Sequence, residues 1–413
     1  MENPRECALD VLIKVDKKEE LSHIAISNVL EKYQFSEKRD RAFFTRLVEG
    51  TLERQITIDY VADQFSKTKI RKCKPLIRAL LRMGIYQLLY MDQVPDSAAC
   101  NEAVKLAKKR GFSRLSGFVN GVLRNISRKK ETISYPKKDK NLVTYLSVTY
   151  SIPEWIIKFF MKTYDDETVE KIIESYLEDK KTTLCCLMSK GGKDVIRKEL
   201  EEENVTVEDG ELIENSVKIS DYDFLYRLRA FREGKCYVQD ESSMLCAKLA
   251  GAKEGQFVMD LCSAPGGKSL YTADQMKGSG QVLSRDLTEY KTDLIEDNIE
   301  RMGFTNMEAE VFDATILDEE HIEAADVVIA DVPCSGLGIM GKKNDIKYHI
   351  SEDGMKDLVK LQREILTNAV QYVKHGGTLI YSTCTINPEE NEKNMQWIIN
   401  NFEDRKSTRL NSS

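Results

Sequence analysis

From about residue 236 onward, short apolar runs alternate with segments long enough to form helices. The runs are FVMDLC (257–262), QVLSRDL (281–287), MEAEVFD (307–313), DVVIADVP (326–333) and GTLIYSTC (377–384). Each run has the length of an ordinary strand and is apolar enough for burial on both faces. The pattern therefore predicts a parallel, doubly wound α/β sheet of the Rossmann-like kind.

Chemically active side chains stand where these predicted strands end. In a doubly wound sheet, ligands bind beyond the carboxyl ends of the strands. The acids and thiols at or just past those ends are Asp260, Asp286, Asp313, Asp331, Cys334 and Cys384. The sequence thus predicts that these six side chains gather along one rim of the sheet.

The chain before this region is organised differently. Residues 5–130 are predicted to be helical throughout, and the stretch LIRALLRMGIYQLLYM (76–91) is apolar around most of its circumference, as in a central buried helix. After the linker SYPKKDKN, short helices and strands follow. We expect an all-α domain at 1–135, a small α+β module at 142–235, the parallel-sheet domain at 236–403 and a tail at 404–413.

Charge is distributed unevenly along the 413 residues, although the net charge is only -7. Residues 1–140 contain 29 Lys and Arg against 18 Asp and Glu, whereas the remainder is acidic. Two basic runs, 67–82 and 103–130, contain no acid at all. They are either solvated helix faces or contacts to a phosphate backbone, and the uneven charge favours a polyanionic partner.

Cysteine and histidine usage excludes several classes of protein. The ten cysteines are scattered without a C-x-x-C pair, and the four histidines lie far apart in sequence. We therefore expect neither a disulfide framework nor a metal site. Since no apolar run approaches the length of a membrane span and the first residues lack a signal-peptide core, we expect a cytoplasmic protein.

The segment DLCSAPGGKSL, after the first predicted strand, has the character of a nucleoside-binding loop. Gly266 and Gly267 allow a tight turn and close approach of a ligand to the backbone, and the N–H groups of the helix that follows face that ligand. Asp286 ends the next strand, where an acid commonly binds ribose hydroxyls. Neither G-x-G-x-x-G nor a P-loop pattern is present, so a nucleoside without a pyrophosphate fits better.

Several motifs together resemble one family. VQDESSMLCAKLAG, MDLCSAPGGKSL, ADVPCSGLG, DIKY and YSTCTINPEENE occur in the order found in RNA cytosine-5 methyltransferases of the RsmB (Sun/Fmu) type. The stretches LRMGIYQLLYMDQVPDSAACNEAVKLAK and GFVNGVLRN resemble the NusB-like RNA-binding domain of the same family. The resemblance covers residues 5–400 and implies a class I methyltransferase domain in the C-terminal part.

The resemblance also implies roles for individual residues. Cys384 corresponds to the nucleophile, Cys334 to the thiol that helps product release, and Asp331 to the acid near the cytosine edge. Residues implied to bind the cofactor, S-adenosyl-L-methionine, are Cys262, Ser263, Ala264, Pro265, Gly266, Gly267, Lys268, Asp286, Asp313 and Asp331. A thiolate suits the reaction because its addition to C6 of cytosine makes C5 nucleophilic.

The implied substrate is 16S ribosomal RNA, at cytosine 967, bound by a monomeric enzyme. Three alternatives stay open: a transfer RNA cytosine-5 methyltransferase, a non-catalytic RNA-binding assembly factor and a small-molecule methyltransferase. The thiol pair Cys334 and Cys384 argues against the assembly factor, and the basic helical domain argues against a small-molecule substrate.

The C-terminal end departs from the family pattern. After NMQWIINNFEDR the chain ends in KSTRLNSS, where the family continues with further strands. We expect a methyltransferase domain truncated at its C-terminus, a non-native tail at 404–413 and an exposed apolar sheet edge beside the strand that precedes Cys384.

Overall fold

The structure is a computed structural model that describes residues 3–178 and 181–402. These residues form two compact units. The first lies within Met1–Asp179 and also contains Ile339–Ile350, and the second lies within Lys180–Gly338 and Ser351–Ser413. The chain therefore returns to the first unit for a short segment before it completes the second.

Helices dominate the first unit, and every strand among the described residues lies in the second. The described helices are α1 (Pro4–Asp16), α2 (Ser22–Lys32), α3 (Lys38–Glu53), α4 (Gln55–Phe65), α5 (Pro75–Tyr90), α6 (Asp96–Lys109), α7 (Ser116–Arg128), α8 (Leu142–Tyr150), α9 (Glu154–Phe160), α10 (Asp166–Ser175), α11 (Gly192–Glu202), α12 (Arg229–Arg232), α13 (Glu241–Ala250), α14 (Gly267–Gln275), α15 (Glu289–Met302), α16 (Ile346–His349), α17 (Glu352–Tyr372) and α18 (Glu392–Asn401). The described strands are β1 (Thr182–Cys186), β2 (Thr206–Asp209), β3 (Ser216–Ser220), β4 (Cys236–Val238), β5 (Phe257–Asp260), β6 (Gln281–Asp286), β7 (Met307–Val311), β8 (Ala325–Asp331) and β9 (Val373–Ser382).

Helix α5 is the centre of the first unit, as its apolar circumference predicts. It begins at Pro75, whose missing N–H is harmless at a helix start. Its one deeply buried cation, Arg82, donates to both carboxylate oxygens of Asp59 at 2.8 and 2.7 Å and to Asp16 at 2.8 Å. Because the guanidinium is fully engaged, its charge is accommodated inside an apolar core.

Helices α8 to α10 belong to the first unit, which corrects the expected boundary at residue 142. Their attachment is specific: the Thr57 hydroxyl donates to the carbonyl of Val148 at 2.5 Å, and the N–H of Ile56 donates to the Ser151 hydroxyl at 2.9 Å. Sequence composition does not reveal such tertiary contacts, so these helices were assigned to the α+β module that follows them.

The α+β module, expected at 142–235, corresponds in the structure to a smaller set of elements. These are a four-stranded antiparallel sheet with the order β2-β3-β1-β4, together with α11 and α12. Strand β4 pairs with β1, with Leu184 opposite Val238. The small sheet thus extends three residues past the boundary predicted at 235/236. Strand β4 is too short to show the alternation by which a strand is recognised in sequence.

The five strands predicted after residue 236 are all present and all parallel, in the order β7-β6-β5-β8-β9. Consecutive residues of the central strand pack into different cores: Val258 joins the cluster with α13 and α14, and Met259 joins the cluster with α17. Both faces of the sheet are therefore buried, and the predicted Rossmann-like fold is confirmed.

Strand β9 pairs with β8 alone among the described residues, so it lies at an edge of the sheet. Its apolar side chains Leu379, Ile380 and Tyr381 are half-buried, not exposed. Leu379 and Tyr381 pack in the same cluster as Trp397 of α18, which covers that face. The tail predicted at 404–413 lies outside the described residues.

Candidate active site

The carboxyl ends of four parallel strands place chemically active groups at one edge of the large sheet. Asp260, Asp286 and Asp331 are the last residues of β5, β6 and β8, and Ser382 is the last residue of β9. Cys334 follows β8 by three residues and Cys384 follows β9 by two. Since β8 and β9 are neighbours, the loops that carry the two cysteines lie next to each other.

The two thiols are in direct contact. Their Sγ atoms lie 3.1 Å apart, and the backbone N–H of Cys384 donates to Cys334 Sγ at 3.3 Å. Cys384 is exposed, whereas Cys334 is half-buried. Cys384 is therefore the more accessible of the two cysteines.

The contact between the two thiols changes the pKa of Cys334. The hydrogen bond with Cys384 and, next, burial raise the pKa of Cys334 well above that of an ordinary cysteine. Cys334 consequently keeps its proton at neutral pH, within hydrogen-bond distance of the sulfur of Cys384. A protonated thiol beside a second, exposed sulfur is suited to assist the departure of that sulfur from a covalent bond.

Asp331 is fixed in orientation at the same rim. Its Oδ2 accepts from Lys268 Nζ at 2.5 Å, and its Oδ1 accepts from the Ser382 hydroxyl at 2.7 Å. Burial alone would lower the pKa of Lys268, but the ion pair with Asp331 outweighs burial and the pKa is raised. The charged pair links the loop after β5 to the ends of β8 and β9.

The loop segment Cys262–Lys268 runs from the end of β5 into the first two residues of α14 and is anchored to β6. Ser263 N–H donates to the carbonyl of Arg285 at 2.9 Å, and Ala264 N–H donates to Asp286 Oδ2 at 2.9 Å. Gly266 has φ +101°, a conformation that other residues rarely adopt, directly before α14 begins. The loop is thereby shaped as a turn that presents a helix N-terminus to the rim.

Buried acceptors without partners mark a ligand site beside this loop. Asp260 Oδ1 and Gln239 Oε1 are buried and accept no hydrogen bond from the described residues. Burial raises the pKa of Asp260 to about 6. Burial also raises the pKa of Cys262, and the carboxylates of Asp260, Asp286 and Asp331 raise it further. The surroundings of the loop therefore contain several carboxylates and two unpartnered acceptors, which suits a ligand that carries hydroxyl or ammonium donors.

Other residues predicted for the site have local partners. The carboxylate of Asp313 accepts from the N–H and the hydroxyl of Thr315 at 2.9 and 2.7 Å, so it shapes the loop after β7. Lys291 Nζ donates to Asp286 Oδ1 at 2.7 Å. Among the described residues, no group of three or more His, Cys, Asp and Glu is arranged to hold a metal ion.

The DIKY motif contributes to the first unit. Asp345 is buried and accepts from the N–H of Ser22 at 2.8 Å. Lys347 is also buried and donates to the carbonyl of Glu53 at 2.8 Å, and the Tyr348 hydroxyl donates to the carbonyl of Leu52 at 2.8 Å. The Lys347 and Tyr348 bonds cap the end of α3, and the Asp345 bond holds the start of α2, so the motif has a structural role in the first unit.

A polar cluster behind the two thiols was not predicted. Glu390 is fully buried and accepts hydrogen bonds from Ser335, Gln362 and Asn387. The sequence contained one indication of this cluster. The stretch NPEENE after Cys384 has an unusual density of polar residues for a helix start that lies next to a buried strand. The partners of Glu390, on α17 and after β8, are distant from it along the chain, so they could not be identified from the sequence.

Two family profiles match the chain. The profile described as "16S rRNA methyltransferase RsmB/F" matches residues 247–413, and that of the "NusB family" matches residues 2–128. Both matches agree with the resemblance identified in the sequence. Among residues 3–178 and 181–402, the helices include none that is long and apolar enough to cross a membrane.

Similar proteins are known over nearly the full length of the chain. A Bacillus subtilis protein named "Probable ribosomal RNA small subunit methyltransferase B" is 37% identical, with 94% of this chain and 86% of that protein covered. A Synechocystis protein of the same name is 31% identical, with 98% and 91% covered. The crystal structure of a protein named PH0851 superimposes with a TM-score of 0.84 at 27% identity, covering 98% and 92%. The chain thus belongs to the ribosomal RNA small subunit methyltransferase B family of S-adenosylmethionine-dependent enzymes.

Proposed function

We propose that this chain methylates carbon 5 of a cytosine in small-subunit ribosomal RNA through a covalent bond between Cys384 and carbon 6. The observation that carries the proposal is the contact between the Sγ atoms of Cys384 and Cys334 at 3.1 Å, at the ends of neighbouring strands. A reaction that both forms and breaks a carbon–sulfur bond has a use for two sulfurs, whereas a simple methyl transfer to oxygen or nitrogen has none.

The residues around the loop Cys262–Lys268 fit S-adenosylmethionine, which supplies the methyl group when bound. Asp260 and Gln239 offer unpartnered acceptors to hydroxyl and ammonium donors. Asp286 is a buried carboxylate at the end of β6, where ribose hydroxyls are commonly bound. The surrounding negative charge complements a sulfonium cation.

Cytosine activation begins at Cys384, because its sulfur is exposed. Its thiolate forms a bond to C6, and the electrons of the C5=C6 bond move so that C5 becomes nucleophilic. Negative charge that develops at the N3 side of the ring requires a donor, and we assign its stabilisation to the Asp331–Lys268 pair, in which Lys268 carries the proton. Carbon 5 would then take the methyl group as the bond between that group and the sulfonium sulfur breaks, which leaves a neutral thioether.

Product release requires the reverse at the same carbon. The C5 proton leaves to a base, its electron pair restores the C5=C6 bond, and the C6–S bond breaks with its electrons on sulfur. Cys334 retains its proton next to that sulfur, so it can donate a hydrogen bond to the departing thiolate. We assign product release to this contact.

RNA binding is assigned to the first unit. The side chains of Lys67, Lys69, Arg71, Lys72 and Lys74 are exposed in one of the two acid-free runs. Lysine and arginine side chains in such an arrangement bind phosphates without reading sequence. The target base must leave its stack to expose C6, so a loop or single strand is the expected substrate. Family membership favours small-subunit ribosomal RNA over a transfer RNA, and cytosine 967 is proposed as the target because the sequence resemblance implies it.

Covalent trapping tests the proposed chemistry. Cys334→Ala should accumulate an RNA adduct that survives denaturing electrophoresis, and Cys384→Ala should accumulate none. Wild-type protein should form the same adduct with RNA that contains 5-azacytidine, since C5 is replaced by nitrogen and release is blocked. If neither Cys334→Ala nor the analogue gives an adduct, the proposal is wrong and an RNA-binding assembly factor is the better reading.

Bisulfite sequencing tests the substrate. Incubation of unmodified 16S RNA and of transfer RNA with the protein and S-adenosylmethionine should protect one cytosine in 16S RNA, at position 967. Protection confined to transfer RNA would keep the chemistry and overturn the substrate.

A further inference from the structure

Glu390 occupies a place that the proposed chemistry does not use. It is fully buried behind the two cysteine loops. Its Oε2 accepts from the backbone N–H of Ser335 at 2.8 Å, and its Oε1 accepts from the Ser335 hydroxyl at 2.5 Å. Ser335 is the residue after Cys334, so one carboxylate holds the Cys334 loop by two bonds.

The same cluster also reaches the loop of Cys384. Ser335 Oγ and Thr385 Oγ1 lie 2.7 Å apart, and Thr385 follows Cys384 directly. Asn387 Nδ2 donates to Glu390 Oε1 at 2.8 Å. Glu390 is therefore bonded, directly or through one hydroxyl, to the residue that follows each thiol.

Helix α17 fixes the cluster from behind. Gln362 is fully buried, and its Nε2 donates to Glu390 Oε2 at 2.9 Å and to the carbonyl of Pro333 at 2.9 Å. The residues on both sides of Cys334 are thus held by one network. Asn394 Nδ2 in turn donates to Gln362 Oε1 at 2.8 Å, which orients that amide.

Glu390 and its neighbour Asn391 make different contacts with the loops of the two thiols. Asn391 accepts from the Thr383 hydroxyl at 2.6 Å and donates to the carbonyl of Thr385 at 2.8 Å, so it fixes the two residues that flank Cys384. Glu390 fixes Cys334 relative to that loop. Adjacent residues directly before α18 therefore make the main contacts to the two thiol loops, Asn391 to that of Cys384 and Glu390 to that of Cys334.

We propose that Glu390 is a positioning residue that holds Cys334 against Cys384, and so controls the release step and not the formation of the adduct. The inference rests on the proposed function for its effect on turnover, but the placement of the thiols is measurable without RNA. A buried carboxylate with four neutral donors is costly to keep unless its geometry is needed, because apolar packing would be at least as stable.

The first test measures the distance between the thiols by cross-linking. Dibromobimane becomes fluorescent when it bridges two neighbouring thiols, and wild-type protein should be bridged between Cys334 and Cys384, with Cys384→Ala as background. In Glu390→Ala the bridging rate should fall about tenfold, the factor that corresponds to loss of one buried hydrogen-bonded contact. Glu389→Ala is the matched control, since Glu389 is exposed and ion-paired with Lys393, and its rate should equal that of wild type.

The second test measures the release step. Glu390→Ala incubated with unsubstituted RNA should retain a covalent adduct, as Cys334→Ala does, while the KM for S-adenosylmethionine changes less than about twofold. A residue that merely stabilises the fold would lower adduct formation and release together. Glu390→Gln keeps one acceptor oxygen and should give intermediate values in both tests, which also decides the matter if the alanine variant does not fold.

Wild-type bridging rates in folded Glu390→Ala and Glu390→Gln would overturn the positioning role. So would the absence of a retained adduct under conditions where Cys334→Ala retains one. If bridging falls but Cys334→Ala retains no adduct, the positioning of the thiols is supported and the proposed cytosine chemistry is the part that fails.

Discussion

Replacement of Lys347 by methionine should change how the stability of the first unit depends on pH. This lysine is buried, with Glu53 and Arg54 as the nearest charged groups, and burial lowers its pKa from 10.5 to about 7. Between these two values the unfolded chain holds a proton that the folded protein has released. Because the unfolded state binds more protons, the free energy of unfolding rises with pH across this window.

The magnitude follows from the size of the pKa difference. A shift from 10.5 to about 7 corresponds to roughly 5 kcal/mol in total, of which about 3–4 kcal/mol is gained between pH 7 and pH 10 and most of the rest above pH 10. The amine also donates to the carbonyl of Glu53 at 2.8 Å, and loss of that bond costs about 1–3 kcal/mol. Lys347→Met should therefore be more stable than wild type by a few kcal/mol at pH 7 and less stable at pH 10.

Tryptophan fluorescence provides the assay, since the chain contains two tryptophans. Trp155 lies in α9 of the first unit and Trp397 in α18 of the second. In a Trp397→Phe background, urea unfolding at pH 7 to 10 reports on the first unit. The difference between wild type and Lys347→Met should reverse sign across this range.

Lys343→Met is the matched control, because Lys343 is exposed in the same segment, and its difference from wild type should stay constant with pH. A constant difference for Lys347→Met as well would refute the assignment of a neutral buried amine.

Three further outcomes are expected. Arg71→Glu with Lys72→Glu should weaken RNA binding for all sequences alike and reduce the slope of log K against log salt by about 1.4 for single-stranded RNA, measured by filter binding; an unchanged slope would place the phosphate contacts elsewhere. Asp331→Asn should lower kcat by about 10²-fold or more in a radiolabelled methyl-transfer assay, because it removes the charged partner of the Lys268 ammonium and with it the ion pair proposed to stabilise the activated base; activity within twofold of wild type would exclude Asp331 from the chemistry. Gly50→Ala should destabilise the first unit by about 1–3 kcal/mol in the same urea assay, because its Cβ would lie 2.0 Å from the Tyr86 ring; no change would mean that the ring moves freely.

The large sheet could be predicted from sequence because its strands are short, apolar and buried on both faces. Val258 and Met259 show why: adjacent residues each meet a core, so no polar position interrupts the run. The proximity of Cys334 and Cys384 could be predicted, because the strands that precede them end at the same rim of the sheet. The distance between them could not be predicted, since it depends on loops whose shape is set by side chains on other elements.

Two of the features that were missed share one physical cause. Helices α8 to α10 attach to the first unit through bonds such as Thr57 to Val148, 91 residues apart. Glu390 meets Ser335 across 55 residues. Such contacts leave no periodic pattern in the sequence, because each involves single polar groups. Strand β4 was missed for a different reason: three residues are too few for a pattern.

The return of Ile339–Ile350 to the first unit has a consequence for synthesis on the ribosome. The N-terminal helices emerge first, yet the carbonyls of Leu52 and Glu53 receive their donors from Tyr348 and Lys347, nearly 300 residues later. The first unit therefore reaches its final form only after most of the second has been translated. Until then its N-terminal helices lack these hydrogen-bond donors. Early translation of these helices therefore does not allow the first unit to complete its fold early.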